Sequence, residues 1–526
     1  MRRRDFLSTA AAAGLARPAV AQNAEARTLV FVPQAGLSST DPIWTAAAAT
    51  RTSAFLIYDT LYGLDEKLIP SPQMAAGANV DNDGRRWTLH LREGLLFHDG
   101  SRVLARDCVA SLRRWMKRDA TGATLAGRLE GLEAPDDRTL VFRLARKTPW
   151  LAFALGKTQP NPPVIMPERL ALTEPFRPVG ETIGSGPWRF LPGDYEPGRR
   201  AVFSRFDAYR PRDEAADFTS GGKRALVERI EWRAIADPAA AANALREGEV
   251  DWIETPLPDL IPQLRAEPGV VVGRLDPYGY YAVLRPNHAI APTANRQLRQ
   301  AILASVDPVE VMQSFMGDDS RGYHAPVGCF LPGSESANSA GMDRLGGRKT
   351  LAQVREMLRL AGYNGEKLVL LHPTDQPFYD AMSQVVAAQL RQYGFVIDDQ
   401  AMDWGTLLQR RVRKDPLAAG GWSLFCTSFP AVDYLDPLSA PGLRGDGPLG
   451  WYGWPVQPTL EALREGWLDA DDAEERRLLT REIQDEAFRE GMYAPLGQYF
   501  LPSAWRSTVT GQMKGPVPVF FNVQKG

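Results

Sequence analysis

Polar and apolar residues alternate through Trp87-Thr88-Leu89-His90-Leu91, which reads as a strand followed by a turn and a second extended segment. A helix comes next, because Leu104, Cys108, Leu112 and Trp115 recur on one face with Val109 and Met116 beside them. The same reading puts a first strand at Leu29-Val30-Phe31-Val32 and a helix over residues 50–61, where Ala54, Ile57, Tyr58 and Leu61 share a face. Asp136-Asp137-Arg138 turns into a strand at 139–144, and the Pro-rich run 160–167 reads as a connection. Strand 230–234, helix 238–247 and strand 250–253 form a β-α-β unit. After a β-rich crossing at 278–285, Asp307-Pro308 opens a helix as N-cap and first helical residue. Amphipathic helices at 351–363 and 378–393 end at Gly362 and Gly394, as C-caps would. Strands 367–371 and 395–400 flank the second helix, which predicts a right-handed crossover in a second sheet. Helices 460–468 and 473–490 then lead to 495–501 and a Pro-rich tail. The chain is therefore of the α/β class.

The first 21 residues, MRRRDFLSTAAAAGLARPAVA, depart from this pattern. Three arginines, a weakly apolar stretch and Ala19-Val20-Ala21 have the layout of an export leader. Arg3-Arg4-Asp5-Phe6-Leu7 fits the twin-arginine signal, and an Ala- and Gly-rich stretch with Arg17 before the cleavage site suits that route. The apolar run is shorter than the ~20 residues a membrane span needs, and the three cysteines all lie in the body of the chain. A soluble periplasmic product is expected.

The 526 residues exceed what one hydrophobic core serves, so two or three domains are expected. Without the leader's four arginines and one aspartate, 61 basic and 63 acidic residues become 57 and 62, a balance that favours neither nucleic acid nor anionic membrane. Cys108, Cys329 and Cys426 allow at most one disulfide, with Cys329 and Cys426 as the candidate pair, while Cys108 reads as a buried small hydrophobe. The five histidines are scattered and no Cys/His cluster has metal-site spacing, so neither metal nor other cofactor is expected.

Wording beyond these patterns carries a resemblance. Asp83-Gly84, Trp87, Leu91-Arg92-Glu93-Gly94, Phe97-His98-Asp99-Gly100 and Ala105-Arg106-Asp107 follow one another, and Gly184-Ser185-Gly186-Pro187-Trp188-Arg189-Phe190, Gly248-Glu249-Val250-Asp251 and Arg299-Gln300-Ala301-Ile302 come later. Together they resemble the extracytoplasmic solute-binding proteins of the peptide/nickel/opine ABC transporter family. His98 and Asp99 then read as turn residues and not as catalytic ones. The resemblance implies a two-lobed periplasmic-binding-protein fold, type II of the large cluster C variety. The first lobe would comprise 26–284 plus 494–526, with an inserted subdomain at 71–181, and the second lobe 285–493. It also implies a ligand held in the cleft between the lobes and a membrane permease as partner, with the binding protein acting as a monomer.

The resemblance also nominates site residues. In peptide-binding relatives a "GW--D" segment supplies an acid for the ligand's amino group. Here the segment is Gly421-Trp422-Ser423-Leu424-Phe425, so Phe425 stands at the acidic position. A buried ammonium without an anion is expensive. Either Asp403, Asp433 or Asp436 substitutes, or the ligand is not a simple peptide. Trp404, Trp422, Phe425, Phe429, Trp451, Tyr452 and Trp454 concentrate aromatic surface nearby, three of them in a Gly/Pro loop. Each could be core, and as a group they could line an apolar pocket, stack on sugars or hold a cation. The loop Gly36-Leu37-Ser38-Ser39-Thr40-Asp41-Pro42 matches one through which relatives contact ligand. The ligand-binding candidates are Ser38, Ser39, Tyr281, Trp404, Trp422, Phe425, Thr427, Asp433 and Trp451, with no catalytic residue.

Two function classes follow. One is a binding protein that delivers short peptides or peptide-like solutes to an ABC importer, with opines, glycosides or metal chelates as alternatives. The other is a secreted hydrolase with an aromatic cleft. The chain has no G-x-S-x-G and no H-E-x-x-H, and the acidic run Glu465, Asp469, Asp471, Asp472 sits where helix ends are expected.

Overall fold

The structure, a computed structural model, describes residues 28–347, 349–447 and 450–526. The leader lies outside the described residues. Three sheets organise the rest. The first has seven strands, with Thr28–Val32 near its centre, parallel to both Arg229–Arg233 and Trp252–Ile253. Helix Pro238–Glu247 links those two outer partners as expected, begun by Asp237, whose carboxylate accepts the amides of Ala239 and Ala240. The second sheet has six strands in the order Tyr323–His324, Ala494–Tyr499, Tyr280–Pro286, Leu424–Pro430, Lys367–Pro373, Val396–Met402. Helix Pro377–Tyr393 joins the last two, which run parallel. The third is a four-stranded antiparallel sheet of Ala75–Asp81, Arg86–Leu91, Thr139–Leu144 and Leu129–Glu133, covered by helix Ala105–Met116.

The sheets move the expected lobe borders. Tyr280–Pro286 and Ala494–Tyr499 pair with each other inside the second sheet, and Ser503–Arg506 pairs inside the first. The chain therefore crosses between sheets before residue 280 and after residue 499, not at 284/285 and 493/494. Periodicity marks a strand without saying which sheet receives it, because both sheets offer a buried face. The predicted helix over 50–61 is also shorter, Ala48–Ile57, since Asp59–Thr60 extends to pair with Val164–Ile165 from the Pro-rich connection.

Two of the segments that carry the resemblance are bonded to each other. The His98 amide donates to the Gly184 carbonyl at 2.9 Å, and its ring joins the Gly184 amide at 3.4 Å and the Gly186 carbonyl at 3.0 Å. One ring nitrogen accepts and the other donates, so the ring is neutral, and burial pushes its pKa down to about 4. A Cβ at Gly184 would meet the Ile57 carbonyl oxygen at 2.0 Å, and one at Gly186 the Leu56 oxygen at 2.5 Å, so both positions need glycine. His98 is a structural residue. Cys108, Cys329 and Cys426 are buried free thiols, and the candidate disulfide is not formed. Among the described residues no helix is long and apolar enough to cross a membrane.

Asp41 anchors the loop that follows the first strand. With Arg114 it forms a bidentate pair at 2.8 and 3.0 Å, both side chains 2% exposed or less, and it accepts the amides of Ile43, Trp44 and Val179. At another edge, ion pairs tie the third sheet to helix Pro458–Asp469 and the turn after it. Arg128 reaches Asp469 at 2.7 Å and Glu465 at 3.1 Å, Arg146 reaches Asp469 at 3.2 Å, and Lys147 reaches Asp471 at 2.5 Å. Their carboxylates are about half exposed, so screened pairs of this kind contribute on the order of 1 kcal/mol. Added salt, or Arg128→Gln, is expected to loosen the two lobes, read as a larger radius of gyration in small-angle scattering. An unchanged radius would remove the rim pairs as a determinant of closure.

Candidate functional site

A cavity with about 1270 Å³ of empty space, mouth included, opens between the lobes. One stretch of the chain contributes Arg118, Asp119, Lys157, Gln159 and Asn161, and a distant one Arg411, Phe429, Asp433, Trp451, Tyr452 and Trp454. Gln159 and Asp433 are buried and Arg411 is half-buried, and each keeps one buried atom without a partner among the described residues. Gln159 donates to the Val432 carbonyl across the cleft at 3.3 Å, yet its Oε1 has no partner. The Asp433 Oδ1 and the Arg411 Nε also have none. Buried polar atoms are almost always paired, so unpaired ones converging on a cavity mark where an outside group completes them.

Asp433 sits in the short helical turn Ala431–Tyr434 that ends strand Leu424–Pro430. It is 4% exposed, and burial pushes its carboxyl up to about 7, although Arg51 and Lys157 pull the other way. Lys157 is committed to Asp119 at 2.6 Å, a buried pair whose acid also caps helix Ala120–Ala126. Arg411 has no acidic partner among the described residues. Its guanidinium lies 4.5 Å from the Tyr452 ring centre and 5.9 Å from that of Trp404, and burial lowers its pKa. The cleft thus offers one uncompensated acid, one uncompensated base and an aromatic wall.

Of the nine candidate residues, Asp433 and Trp451 line this cavity. Thr427 is buried, and Trp404 stacks on the Tyr379 ring at 4.7 Å. Ser38 is exposed, and Ser39 accepts the Asp41 amide at 3.2 Å in the loop that Asp41 anchors. Trp422 and Phe425 are fully buried, 5.0 Å apart, with Trp451 packed over Phe425 at 5.5 Å. Tyr281 is fully buried as well. Its hydroxyl donates to the Gly328 carbonyl and its ring stacks on Tyr434 at 4.3 Å. Its expected place in the cleft is therefore corrected: successive strand residues point to opposite faces, and its neighbour Tyr280 lines a separate cavity beside the chain crossing. Trp422 and Phe425 are corrected likewise, because the Gly/Pro loop folds Trp451 across them. Of the substitute acids, Asp403 caps helix Trp404–Arg410, Asp436 accepts the Ser439 amide, and Asp433 alone of the three combines burial with an unpaired oxygen. Sequence reading missed Arg411, Lys157 and Gln159. Charged residues on ordinary loops and helices carry no local mark of being left unpaired.

The model of the bacterial extracellular solute-binding proteins, family 5, middle region, matches residues 70–443. This chain belongs to that family. A probable peptide ABC transporter periplasmic-binding protein, y4tO of Sinorhizobium fredii, is 35% identical over 99% of both chains. Among solved structures, the binding protein AgaA of A.tumefacien R10 in complex with agropinic acid superposes with a TM-score of 0.79 at 20% identity, covering 95% of this chain and 99% of that one. DppA of Helicobacter pylori in complex with the peptide STSA gives 0.78 at 20% identity over 96% and 99%. The two-lobed α/β periplasmic-binding fold is common to them. Family membership makes the chain an extracytoplasmic solute-binding component of an ABC importer and not an enzyme. Among the described residues no three His, Cys, Asp or Glu side chains assemble a metal site.

Proposed function

We propose that this binding protein captures a short peptide or peptide-like solute between its lobes and delivers it, as a monomer, to its permease. The observation that carries the reading is Asp433. A buried carboxylate with an unpaired oxygen in the interlobe cavity calls for a cationic group, and an α-amino group supplies one. Asp433 then takes over the task of the acid missing at position 425. The Arg411 guanidinium offers a place for a carboxylate at the other end of the solute. The similarity to a probable peptide-binding relative supports the same solute class.

The reading includes export of residues 1–21 by the twin-arginine route, a subdomain at 71–181 inserted in the first lobe, and the type II, cluster C assignment. A non-peptide solute such as an opine, glycoside or metal chelate is the second reading. It is favoured by the Trp451, Tyr452 and Trp454 wall and by Phe425 in place of the acid. Native mass spectrometry of protein exported from its own host separates the two. Adducts spaced by amino-acid residue masses support the peptide reading, and one non-peptide adduct supports the second. A chain that carries nothing and takes up nothing from host medium overturns both.

A further inference from the structure

Beside the crossing between the lobes lies another cavity, with about 550 Å³ of empty space, open mouth included, that shares no lining residue with the cleft cavity. Helix Ala48–Ile57 contributes Arg51 to it, and the segment after Ile253 contributes Glu254. The two crossings add Asp276 and Leu501, the strands that follow them add Tyr280 and Ser503, and residues 513–518 of the tail close one side.

Arg51 is 8% exposed, its Nε has no hydrogen-bond partner, and no carboxylate among the described residues reaches it within ion-pair distance. A guanidinium has five N–H groups to satisfy, so leaving it buried and unpartnered is expensive. The acids in the same cavity are also underused. Glu254 accepts the Gln34 amide at 2.7 Å and Asp276 the Tyr278 amide at 2.8 Å, and no salt bridge holds either one among the described residues. Burial raises both carboxyl pKa values, Asp276 to about 6, against the pull of the Arg51 charge. One cation and two anions therefore share a cavity without touching.

That arrangement discriminates among occupants. A simple anion would satisfy Arg51 and meet repulsion from Glu254 and Asp276. A simple cation would satisfy the acids and leave Arg51 unpaired. We propose that the cavity is a second binding site, in which Arg51 takes a carboxylate and Glu254 with Asp276 takes an ammonium on a neighbouring atom, as in the head group of an α-amino acid. The inference rests on the solute-binding reading above, because Asp276 and Leu501 lie on the two chain crossings and an occupant would touch the hinge directly.

Ligand-free protein, prepared by unfolding and refolding, is titrated with L-alanine, propionate and ethylammonium while thermal stability is followed. L-Alanine is expected to raise the melting temperature and either half-ligand to leave it in place. Arg51→Gln and the Glu254→Gln/Asp276→Asn double variant should each lose the response, and Asp433→Asn should keep it. Circular dichroism checks that each variant folds, and the double variant decides if Arg51→Gln does not. An equal response to propionate or ethylammonium, no response to L-alanine, or loss of the response in Asp433→Asn overturns the site. Native mass spectrometry of the same preparations in host-medium extract separates the two readings. A chain that takes up a solute but ignores L-alanine fails only the hinge site, and one that takes up neither fails both.

Discussion

Asp433→Asn is expected to stabilise the empty protein at pH 8, leave its stability at pH 4 nearly unchanged, and weaken solute binding. Burial holds the Asp433 carboxyl at about 7, against about 3.9 in an unfolded chain. Below pH ~4 the group is protonated in both states and carries no penalty. As pH rises from ~4 to ~7 the unfolded state releases the proton and the folded state keeps it, so stability falls. Above ~7 the full penalty stands, at most about 4 kcal/mol from a shift of roughly three units. Asparagine has the same shape and no charge to bury, so urea unfolding should show the variant gaining on wild type between pH 4 and 8. A solute cation in contact with Asp433 would lose its counter-charge, which costs on the order of 100-fold in affinity. A stability difference that stays flat with pH would show that Asp433 is not the strained acid of the cleft.

Arg285→Ala is expected to destabilise the protein by about 4 kcal/mol and to loosen the aromatic wall. Arg285 is wholly buried. Its Nε donates to the Tyr452 carbonyl at 2.7 Å, and its Nη1 to the carbonyls of Gly442 and Met492 at 3.1 and 2.8 Å. Its guanidinium lies 4.9 Å from the Trp451 ring centre, and burial pushes its pKa down only to about 10, so it stays charged at neutral pH. Alanine would leave a cavity and orphan three carbonyl oxygens. Arg285→Met would keep most of the volume and forfeit only the bonds, so about half the loss is expected. Urea unfolding measures the stability, and quenching of tryptophan fluorescence reports the freedom of Trp451. A variant within about 0.5 kcal/mol of wild type, the range of an ordinary surface change, would show that other contacts hold the loop.

Much of the fold was legible because its signals are local. Helix Leu351–Leu360 is begun by Thr350 and Gln353 in a reciprocal cap, and helix Pro377–Tyr393 ends at Gly394 with φ +104°. Such contacts join residues a few positions apart, so the order of residues suffices to read them. The family wording was legible for a related reason: His98, Gly184 and Gly186 meet at one crowded junction that tolerates few alternatives.

The site was legible only in part. Asp433 and Trp451 line the cleft as expected, whereas Tyr281 faces the core. A strand's two faces look alike in sequence when both are buried, and only the pairing of Tyr280–Pro286 with Leu424–Pro430 and Ala494–Tyr499 decides between them. The same holds for charge. Arg114 and Arg51 are both buried arginines, yet Arg114 meets Asp41 and Arg51 meets no acid among the described residues. By itself, the sequence determined the α/β elements, their caps and the family. The tertiary structure alone decided which sheet receives each crossing strand, which aromatic is core, and which buried charges are left for a solute, because each depends on segments brought together from far apart in the chain.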